Sequence, residues 1–427
     1  MSGPSPLRAL RHKNYRLFFF GQLISLIGTW MQSVAQSWLI YRLTDSALLL
    51  GLIGFASNIP VFFIAPLGGA LADRVSRRDI LIATQTASML LAAILAALTL
   101  TGVVKPWHLF VLASSLGIIN GFDIPARQSF AVEMVGREDL VNAIALNSTI
   151  FNAARVAGPA VAGILVAWIG EGWCFFGNAV SYVAVLAGLL LMRLPPVPRV
   201  ERSEGALSHL VEGFRFAAAT GPIRALLLLL TVLSFTGMPY SVLMPIFAEE
   251  ILGSGPRGLG ILMGATGVGA LLGSISLATR RTVIGLGRWV ARAGVAFGLC
   301  LTAFSLSRSF WLSVVILLPV GYSMIVAMAS SNTLIQAMVP DALRGRVMAV
   351  YSMVFMGGAP MGALLAGSMA ERIGAPATVA LGAGMAVVAA AIFWLRLPAH
   401  RVVARQLIVS QQVAGGEPAQ QSTGTGS

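Results

Sequence analysis

The stretch Gly68-Gly-Ala-Leu-Ala-Asp-Arg-Val-Ser-Arg-Arg78 is a charged hairpin that joins two long apolar segments, residues 48–72 and 80–102. Each segment is longer than the roughly 20 residues that an α-helix needs to cross a bilayer. Charges crowded between two such segments mark the place where two membrane spans meet the aqueous phase. The hairpin therefore predicts an integral membrane protein.

The composition of the whole chain agrees with this prediction. Of its 427 residues, 57% are hydrophobic and 11% are charged, and the mean hydropathy is +0.83. A soluble domain carries roughly 25% charged residues. A soluble globular protein is thereby excluded.

Apolar stretches of span length recur along nearly the whole chain. They are continuous, whereas a membrane β-strand would alternate over about ten residues, so the sequence predicts an all-α bundle of twelve helices. The first run is too long for a cleavable signal peptide and is expected to remain as span one. The predicted spans are residues 15–41, 48–72, 80–102, 106–126, 142–168, 172–192, 223–248, 258–278, 289–306, 310–336, 346–369 and 375–396.

The placement of the basic residues predicts the topology. The net charge is +13, but the 29 lysines and arginines alternate by loop. Arg155 lies inside a span, one set of span ends holds only Arg42, Lys105, Arg257, Arg308 and Arg372, and all the others lie at the opposite set. This is the positive-inside pattern, and with an even number of spans it predicts that both termini are cytoplasmic. The basic charge indicates contact with anionic membrane lipids and no nucleic-acid partner.

The sequence contains no residue pattern that is typical of an enzyme, a metal site or a cofactor site. Cys174 and Cys300 both lie in apolar surroundings, so neither a disulfide framework nor a metal cluster is indicated. The four histidines are scattered, and no Gly-x-x-x-x-Gly-Lys-Ser/Thr loop or Ser/His/Asp constellation is found. The sequence predicts no enzyme, no metal site and no cofactor.

A proline-rich and charged segment divides the chain. It contains Pro195, Pro196, Pro198 and the run EGALSHLVEGFRFAAAT, which predicts a linker with a short amphipathic helix at the membrane surface. The predicted organisation is an N-terminal six-helix half at residues 1–193, a cytoplasmic linker at 194–222, a C-terminal six-helix half at 223–397 and a disordered cytoplasmic tail at 398–427.

The two halves resemble each other weakly. Gly69–Arg77 matches Gly273–Arg281, and Gly158-Pro159 matches Ala359-Pro360. Repeated six-span halves indicate a secondary transporter with a central site between them. The second copy has Leu277 where Asp73 would fall, so only the first half has the full set of charges.

Two six-span halves, a basic linker and the charged hairpin resemble the major facilitator superfamily. The signature of that family after span two is glycine, three residues, aspartate, a base, any residue, glycine and two bases. Five of its six fixed positions match here, and Ser76 stands where the family prefers glycine. The resemblance covers residues 14–397 and implies a transporter of a small-molecule substrate that usually works as a monomer.

Two roles for the hairpin are open. As an anchor, Arg74, Arg77 and Arg78 would hold it at the lipid headgroups. As a conformational gate, Gly69 would permit close helix approach, Asp73 would lie near a helix end or a neighbouring base, and the arginines would latch the two halves. Such a latch would favour the outward-facing state.

A finer resemblance lies in spans four and five. The runs Asn120–Gln128, Arg137–Ala143 and Ala154–Gly163 are similar to a prokaryotic efflux branch of the superfamily, which includes enterobactin and macrolide exporters. Gly158-Pro159 also resembles the span-five motif of drug/proton antiporters, although the upstream glycines of that motif are missing. The resemblance implies efflux coupled to protons.

The span-five segment favours a kinked helix on physical grounds as well. Pro159 removes a backbone donor and bends the helix, and Gly158 and Gly163 let a neighbouring helix approach closely. The segment is either a moving kink or an ordinary bent and tightly packed span.

Arg155 lies deep in the same apolar span. Placing a base at mid-membrane costs about 2.5–3.5 kcal/mol, so we expect Arg155 to face a water-filled cavity or a partner. In a cavity it would attract an anionic or catecholate-like substrate, or set the protonation of an acid. The alternative is structural pairing with a carboxylate or carbonyl of a neighbouring helix.

Few acids are placed to carry a proton. Asp123 at the end of span four is the leading candidate, and Arg127 lies one turn later on the same helix face. The alternative is a local ion pair at the cytoplasmic mouth. Glu249 and Glu250 are expected to be solvated charges at the exterior.

Amides inside spans either cross-link helices by hydrogen bonds or face a pocket. Gln32 and Gln36, one turn apart on span one, and Asn152 on span five are candidates for the substrate or proton pathway. With Met238, Tyr240 and Met244 of span seven, the two glutamines would line an adaptable apolar pocket.

These features, together with the resemblance, predict a bacterial inner-membrane protein that is a secondary exporter of amphipathic small molecules, of drug or siderophore type, driven by protons through alternating access. Two alternatives are a facilitator that imports or equilibrates a small metabolite, and a membrane receptor or scaffold that transports nothing.

Overall fold

The computed structural model describes residues 7–136, 138–192, 206–280, 282–283 and 285–414. In these ranges the chain is a bundle of helices that follow a short 3-10 turn at Arg8–Arg11. The helices are α1 Lys13–Thr44, α2 Ala47–Arg74, α3 Arg77–Leu100, α4 Pro106–Val135, α5 Leu140–Ile169, α6 Glu171–Leu191, α7 Ala206–Ala219, α8 Gly221–Ile251, α9 Gly255–Ala278, α10 Leu286–Leu306, α11 Phe310–Met338, α12 Asp341–Ile373 and α13 Ala375–Ala414.

Twelve of these helices are long and apolar enough to cross a membrane, and α7 is the exception. The predicted all-α fold with twelve spans is confirmed. Several helices run past their predicted ends. One extension is in α4, where buried Phe130 and Met134 continue the apolar helix face until Gly136, whose φ of 71° ends the helix.

The charged hairpin is short because the side chain of Ser76 starts the next helix. The helix α2 ends at Arg74, and the Ser76 side chain accepts a hydrogen bond from the backbone N–H of Asp79, at 3.4 Å, to cap α3. Serine is among the best N-cap residues. This explains how Ser76 serves at a position where the family prefers glycine.

We describe the twelve spans as two groups in chain order, α1–α6 as the first half and α8–α13 as the second half. In the first group α1 packs on α5 and α6, and α4 packs on α2 and α3. In the second group α9 packs on α11, and α10 packs on α11 and α13. The halves meet mainly where α2 contacts α12 and where α5 contacts α9.

The two ends of the bundle differ in charge. One end, which we call the basic end, holds the connections at 74–77, 136–140, 278–286 and 338–341. The other, which we call the opposite end, holds the connections at 44–47, 100–106, 169–171, 251–255, 306–310 and 373–375.

At the basic end the Asp139 carboxylate accepts hydrogen bonds from His12 Nε2, at 2.8 Å, and from Arg8. The bond from His12, together with that from Arg8, holds the pKa of Asp139 below its usual value. The start of α1 is thereby tied to the start of α5.

The helix predicted in the linker is present as α7. It packs against the start of α12, where Arg346 pairs with Glu212. Val211 and Phe214 of α7 point away from the bundle and are exposed. An amphipathic helix of this kind lies in the plane of a membrane surface.

The prediction of disorder from residue 398 onwards is wrong for residues 398–414, which continue α13. The reason is an apolar face, because Ala404, Leu407 and Ile408 pack against the core of the second half. Residues 415–427 of the predicted tail lie outside the described residues.

The helix α8 is regular only as far as Val232. A π-helical turn at Leu233–Gly237 and a 3-10 turn at Met238–Ser241 follow, and Pro239 and Pro245 fall in this irregular part. Prolines lack the N–H that a regular helix needs. The irregular backbone places Tyr240 between the halves.

Candidate functional site: the cavity between the two halves

Two pairs of glycines hold the halves together at the opposite end. Gly51 of α2 faces Gly367 of α12, and a Cβ added to Gly51 would lie 2.9 Å from the Cα of Gly367. Gly163 of α5 faces Gly260 of α9, where an added Cβ on Gly163 would lie 2.9 Å from the Cα of Gly260. Real Cβ atoms do not approach that closely. The backbones therefore meet only because all four residues are glycine.

The two glycine pairs are copies of one interface. The helix α2 is the second span of the first half and α9 is the second span of the second half, while α5 and α12 are the fifth spans. Gly51 thus corresponds to Gly260, and Gly163 corresponds to Gly367. The two halves that repeat weakly in sequence therefore close the opposite end with equivalent contacts.

Carboxylates reinforce this closure. The Tyr41 hydroxyl of α1 donates a hydrogen bond to Glu250 of α8. Glu371 of α12 accepts from the Leu48 N–H at 3.0 Å and from the Ser46 hydroxyl at 3.2 Å. The expectation that Glu250 is only a solvated charge is wrong, because its carboxylate bridges the two halves.

Toward the basic end the halves separate. The α5 face that meets α9 through Val156 and Gly163 continues, by helical period, through Asn152 and Thr149. Asn152 is half-exposed and Thr149 is exposed. Ile275 of α9, on the face that carries Gly260 and Gly267, is 52% exposed. We infer from these exposed side chains that the halves part toward the basic end and leave a cavity there, which closes at the glycine pairs.

Arg155 lies near the apex of this cavity. Its guanidinium carbon is 5.8 Å from the ring centroid of Trp30 on α1, and Trp30 makes an edge contact with Phe151, with 5.7 Å between ring centroids. Tyr240 of α8 lies within electrostatic range of Arg155. Within the described ranges, Arg155 forms no ion pair with an acidic side chain. The face of Trp30 therefore gives the guanidinium a cation–π contact in this part of the span.

The three span-seven residues lie in different surroundings. Tyr240 is 4% exposed and stacks edge-on against Phe297. Met238 lies with Met324, Met328 and Phe355 around an apolar recess of the second half. Met244 is 1% exposed and belongs to the core, so its predicted place in the pocket is wrong.

The three amides predicted for the pathway lie in different environments. Gln32 is buried between α1 and α6, where it accepts a hydrogen bond from Asn178 at 2.7 Å, so it cross-links helices and does not face the cavity. Gln36, one turn later, is half-buried. Asn152 lies on the cavity face of α5, and its amide donates to the Ser148 carbonyl at 2.8 Å.

Asp123 lies inside the first half, away from the interface between halves. One of its oxygens accepts from Thr84 at 2.9 Å and from Gln85 at 2.8 Å, and the other accepts from Arg127. The carboxyl group is almost fully buried. The structure matches the predicted alternative of a local ion pair, extended by two donors from α3.

Among the residues that the structure describes, the hairpin contacts the first half and not the second in this conformation. Arg77 pairs with Glu133 of α4 at 2.5 Å and lies 3.8 Å from Asp73, and Arg78 donates to the carbonyls of α6 residues Leu189 and Leu190 at 2.8 and 3.0 Å. These contacts all stay within the first half. Arg74 is exposed.

Gly69 also differs from its predicted role. Nothing lies within 4 Å of a Cβ added there, whereas the preceding Gly68 packs directly against the Gly121 carbonyl of α4. The close helix approach in this conformation therefore belongs to Gly68.

The span-five segment is tightly packed on both sides. Gly158 packs on α1, where an added Cβ would lie 3.1 Å from the Met31 nitrogen. The Pro159 carbonyl and Gly163 pack on Gly260 of α9. The segment thus joins the cavity wall to the closing interface.

Sequence reasoning missed most of the closing contacts. Gly51, Gly260 and Gly367 are three of 46 glycines, and no local pattern marks them. Matching second spans and fifth spans between the halves is the signal that could have found them. Nothing in the sequence pairs Tyr41 with Glu250.

Two six-helix halves around a cavity that one end closes define a membrane transporter of the major facilitator superfamily. The family model described as "Transmembrane secretion effector" matches residues 4–421, and the chain belongs to this family. It is a multi-pass bacterial membrane protein, and its family and relatives are transporters and not enzymes.

Three relatives are similar over most of the chain. The staphyloferrin A transporter of Staphylococcus aureus is 24% identical, over 84% of this chain and 90% of the relative. The multidrug efflux pump Tap of Mycolicibacterium fortuitum is 27% identical, over 85% and 90%. The enterobactin exporter EntS of Escherichia coli is 27% identical, over 84% and 85%.

Solved structures share the fold. The nucleoside transporter NupG superposes with a TM-score of 0.71 at 16% identity, covering 91% of this chain and 99% of NupG. A bacterial homologue of the human lysosomal transporter Spinster gives a TM-score of 0.68 at 15% identity, covering 96% and 99%.

Proposed function

We propose that this protein is a secondary active exporter that moves amphipathic small molecules out of the bacterial cytoplasm by alternating access. The observation that carries the proposal is the contact of the halves at two glycine pairs of the opposite end, with Arg155 on the basic side of these pairs, where we infer the cavity. Basic residues face the cytoplasm in membrane proteins. The cavity is then in the state that receives a cytoplasmic substrate.

The substrate class follows from the chemistry of the cavity. Arg155 has aromatic neighbours and no ion pair in the described residues, so its charge favours a ligand that carries a negative charge. Trp30 and Phe151 beside Arg155 suit an apolar part of the same ligand. A siderophore-like or drug-like compound has both features. The relatives that transport staphyloferrin A, enterobactin and drugs support this choice.

Protons are the proposed coupling ion, and Asp123 is the proposed site. Its buried carboxyl group accepts hydrogen bonds from Arg127, Thr84 and Gln85. Thr84 and Gln85 belong to α3, so a movement of α4 against α3 would remove two of these donors. Proton uptake would then accompany the change between conformations.

Accumulation in everted membrane vesicles tests the function. Vesicles that hold the protein are expected to accumulate enterobactin, staphyloferrin A or a lipophilic drug when the lumen is acid, and to lose the compound after an uncoupler. Accumulation that an uncoupler leaves unchanged would favour a facilitator. Tight binding of a protein partner without movement of any compound would favour a receptor or scaffold.

Asp123→Asn is expected to abolish accumulation driven by the proton gradient but to preserve exchange of substrate between two equal pools, because exchange needs no net proton movement. Both rates are measured in proteoliposomes, with Glu138→Gln, an exposed carboxylate, as the matched control. Equal loss of both rates would assign Asp123 a structural role only.

The hairpin is proposed to act as a latch after the basic end has closed. Asp73 is 44% exposed and 3.8 Å from Arg77, so Asp73→Asn is expected to change stability in the present conformation by no more than about 0.5 kcal/mol. Transport is expected to fall several-fold, and a cysteine at Thr149 to react faster with a membrane-impermeant maleimide. Unchanged transport and unchanged labelling would leave the hairpin as an anchor.

A further inference from the structure

A groove lies between the start of α8 and the membrane exit of α13, on the outside of the second half at the basic end. It is a cavity of about 220 Å³. Basic and titratable groups form one part of its lining, and apolar side chains form the other. The first group comprises Arg224, Arg396 and His400, and the second includes Leu228, Val232 and Ile392.

The basic part of the groove has no acidic counterpart. In the described residues, neither Arg224 nor Arg396 forms an ion pair, and no carboxylate lines the groove. Arg224 donates one hydrogen bond, to the Ala218 carbonyl at 3.2 Å. Two guanidinium groups therefore face one cavity with most of their donors unused, which suits a phosphate group.

The apolar part of the groove points into the membrane. Leu228 is 60% exposed and Ile392 is 49% exposed, and both lie on the spanning parts of their helices. The neighbouring α7 exposes Val211 and Phe214, as a helix in the membrane surface does. Because α8 begins two residues after α7 ends, Arg224 lies at the level of the lipid headgroups.

We propose that this groove binds an anionic phospholipid. The phosphate lies between Arg224 and Arg396, His400 donates to it, and an acyl chain runs along Leu228 and Ile392. Basic pockets between spans on the cytoplasmic side bind anionic headgroups in this way. The site is separate from the transport cavity, so it does not depend on the identity of the substrate.

Native mass spectrometry of the full-length protein, with phosphatidylglycerol titrated against phosphatidylcholine, tests the site. The double variant Arg224→Ala/Arg396→Ala is expected to weaken phosphatidylglycerol binding at least tenfold. The matched control is Arg288→Ala/Arg292→Ala, which removes two exposed arginines of the basic end that do not line the groove. The control is expected to bind phosphatidylglycerol like the unaltered protein.

Three outcomes would overturn the proposal. Equal phosphatidylglycerol affinity in the double variant and the control would show that Arg224 and Arg396 do not bind the lipid. Equal affinity of the unaltered protein for phosphatidylcholine and phosphatidylglycerol would show that the negative charge of the lipid does not matter. The third outcome is that soluble glycerol phosphate displaces all of the bound phosphatidylglycerol at a concentration no higher than that at which phosphatidylglycerol itself binds. That result would show that the groove binds a free phosphate and does not need an acyl chain. A melting temperature within a few degrees of the unaltered protein establishes that the double variant is folded.

Discussion

Gly260→Leu is expected to shift the protein away from the conformation described above. The backbones of α5 and α9 meet at Gly260 and Gly163, so a leucine side chain there has no space. Overpacking of a tight interface costs about 1–3 kcal/mol, which corresponds to roughly a 5- to 150-fold change in a conformational equilibrium. Substrate export is expected to fall at least tenfold, as measured in everted vesicles.

The symmetry of the halves supplies a second variant and a control. Gly51→Leu alters the equivalent position and is expected to act in the same direction, since Gly51 meets Gly367 as Gly260 meets Gly163. Gly384→Leu is the matched control, because nothing lies within 4 Å of a Cβ added there. Normal export by Gly260→Leu and Gly51→Leu would contradict a role for the glycine pairs in the transport cycle.

Arg155→Met is expected to abolish export of an anionic substrate, with at least a tenfold loss, while the protein stays folded. A base at mid-membrane costs about 2.5–3.5 kcal/mol, and its aromatic contact with Trp30 recovers about 0.5–2 kcal/mol. Replacing it by an apolar side chain of similar length should therefore leave the melting temperature unchanged or raise it. Export and melting temperature are measured on the same preparations.

The conservative variant separates charge from shape. Arg155→Lys keeps the charge and is expected to retain part of the transport. Arg292→Ala removes an exposed arginine outside the cavity and serves as the control. A large drop in melting temperature for Arg155→Met would show that Arg155 is a structural residue, and full export by this variant would remove it from the substrate path.

The spans could be predicted from the sequence because length and hydropathy alone define a membrane helix. The caps of the hairpin are local as well, since Ser76 acts on a residue three positions later. Helix ends were less predictable, and α4 and α13 ran on where an apolar face continued.

The site was predictable only in part, because it depends on which helix faces meet. Arg155 stood out since a charge in an apolar span is costly. Gln32 had the same sequence signal as a cavity amide, but its partner Asn178 is far away in the chain. The contacts of Gly51 with Gly367 and of Tyr41 with Glu250 join the two halves, and no property of either residue alone identifies its partner.

The hairpin illustrates the same limit. Its charges indicated a membrane junction, and its likeness to the family signature indicated a gate. In the present conformation Arg77 and Arg78 bind only the first half. A gate is a property of two conformations, so the proposed latch concerns the state in which the basic end is closed.

Distances between spin labels on the two halves test the central claim, which is that the halves rock about the cavity. One pair, Thr149→Cys and Ile275→Cys, flanks the opening on α5 and α9, and a second pair, Lys105→Cys and Arg308→Cys, reports on the opposite end. Cys174 and Cys300 are first replaced by serine. When an exported compound and a proton gradient across the membrane are supplied to the protein in proteoliposomes, the first distance is expected to shorten and the second to lengthen. Two distances that remain fixed under every condition, while export proceeds, would contradict the account.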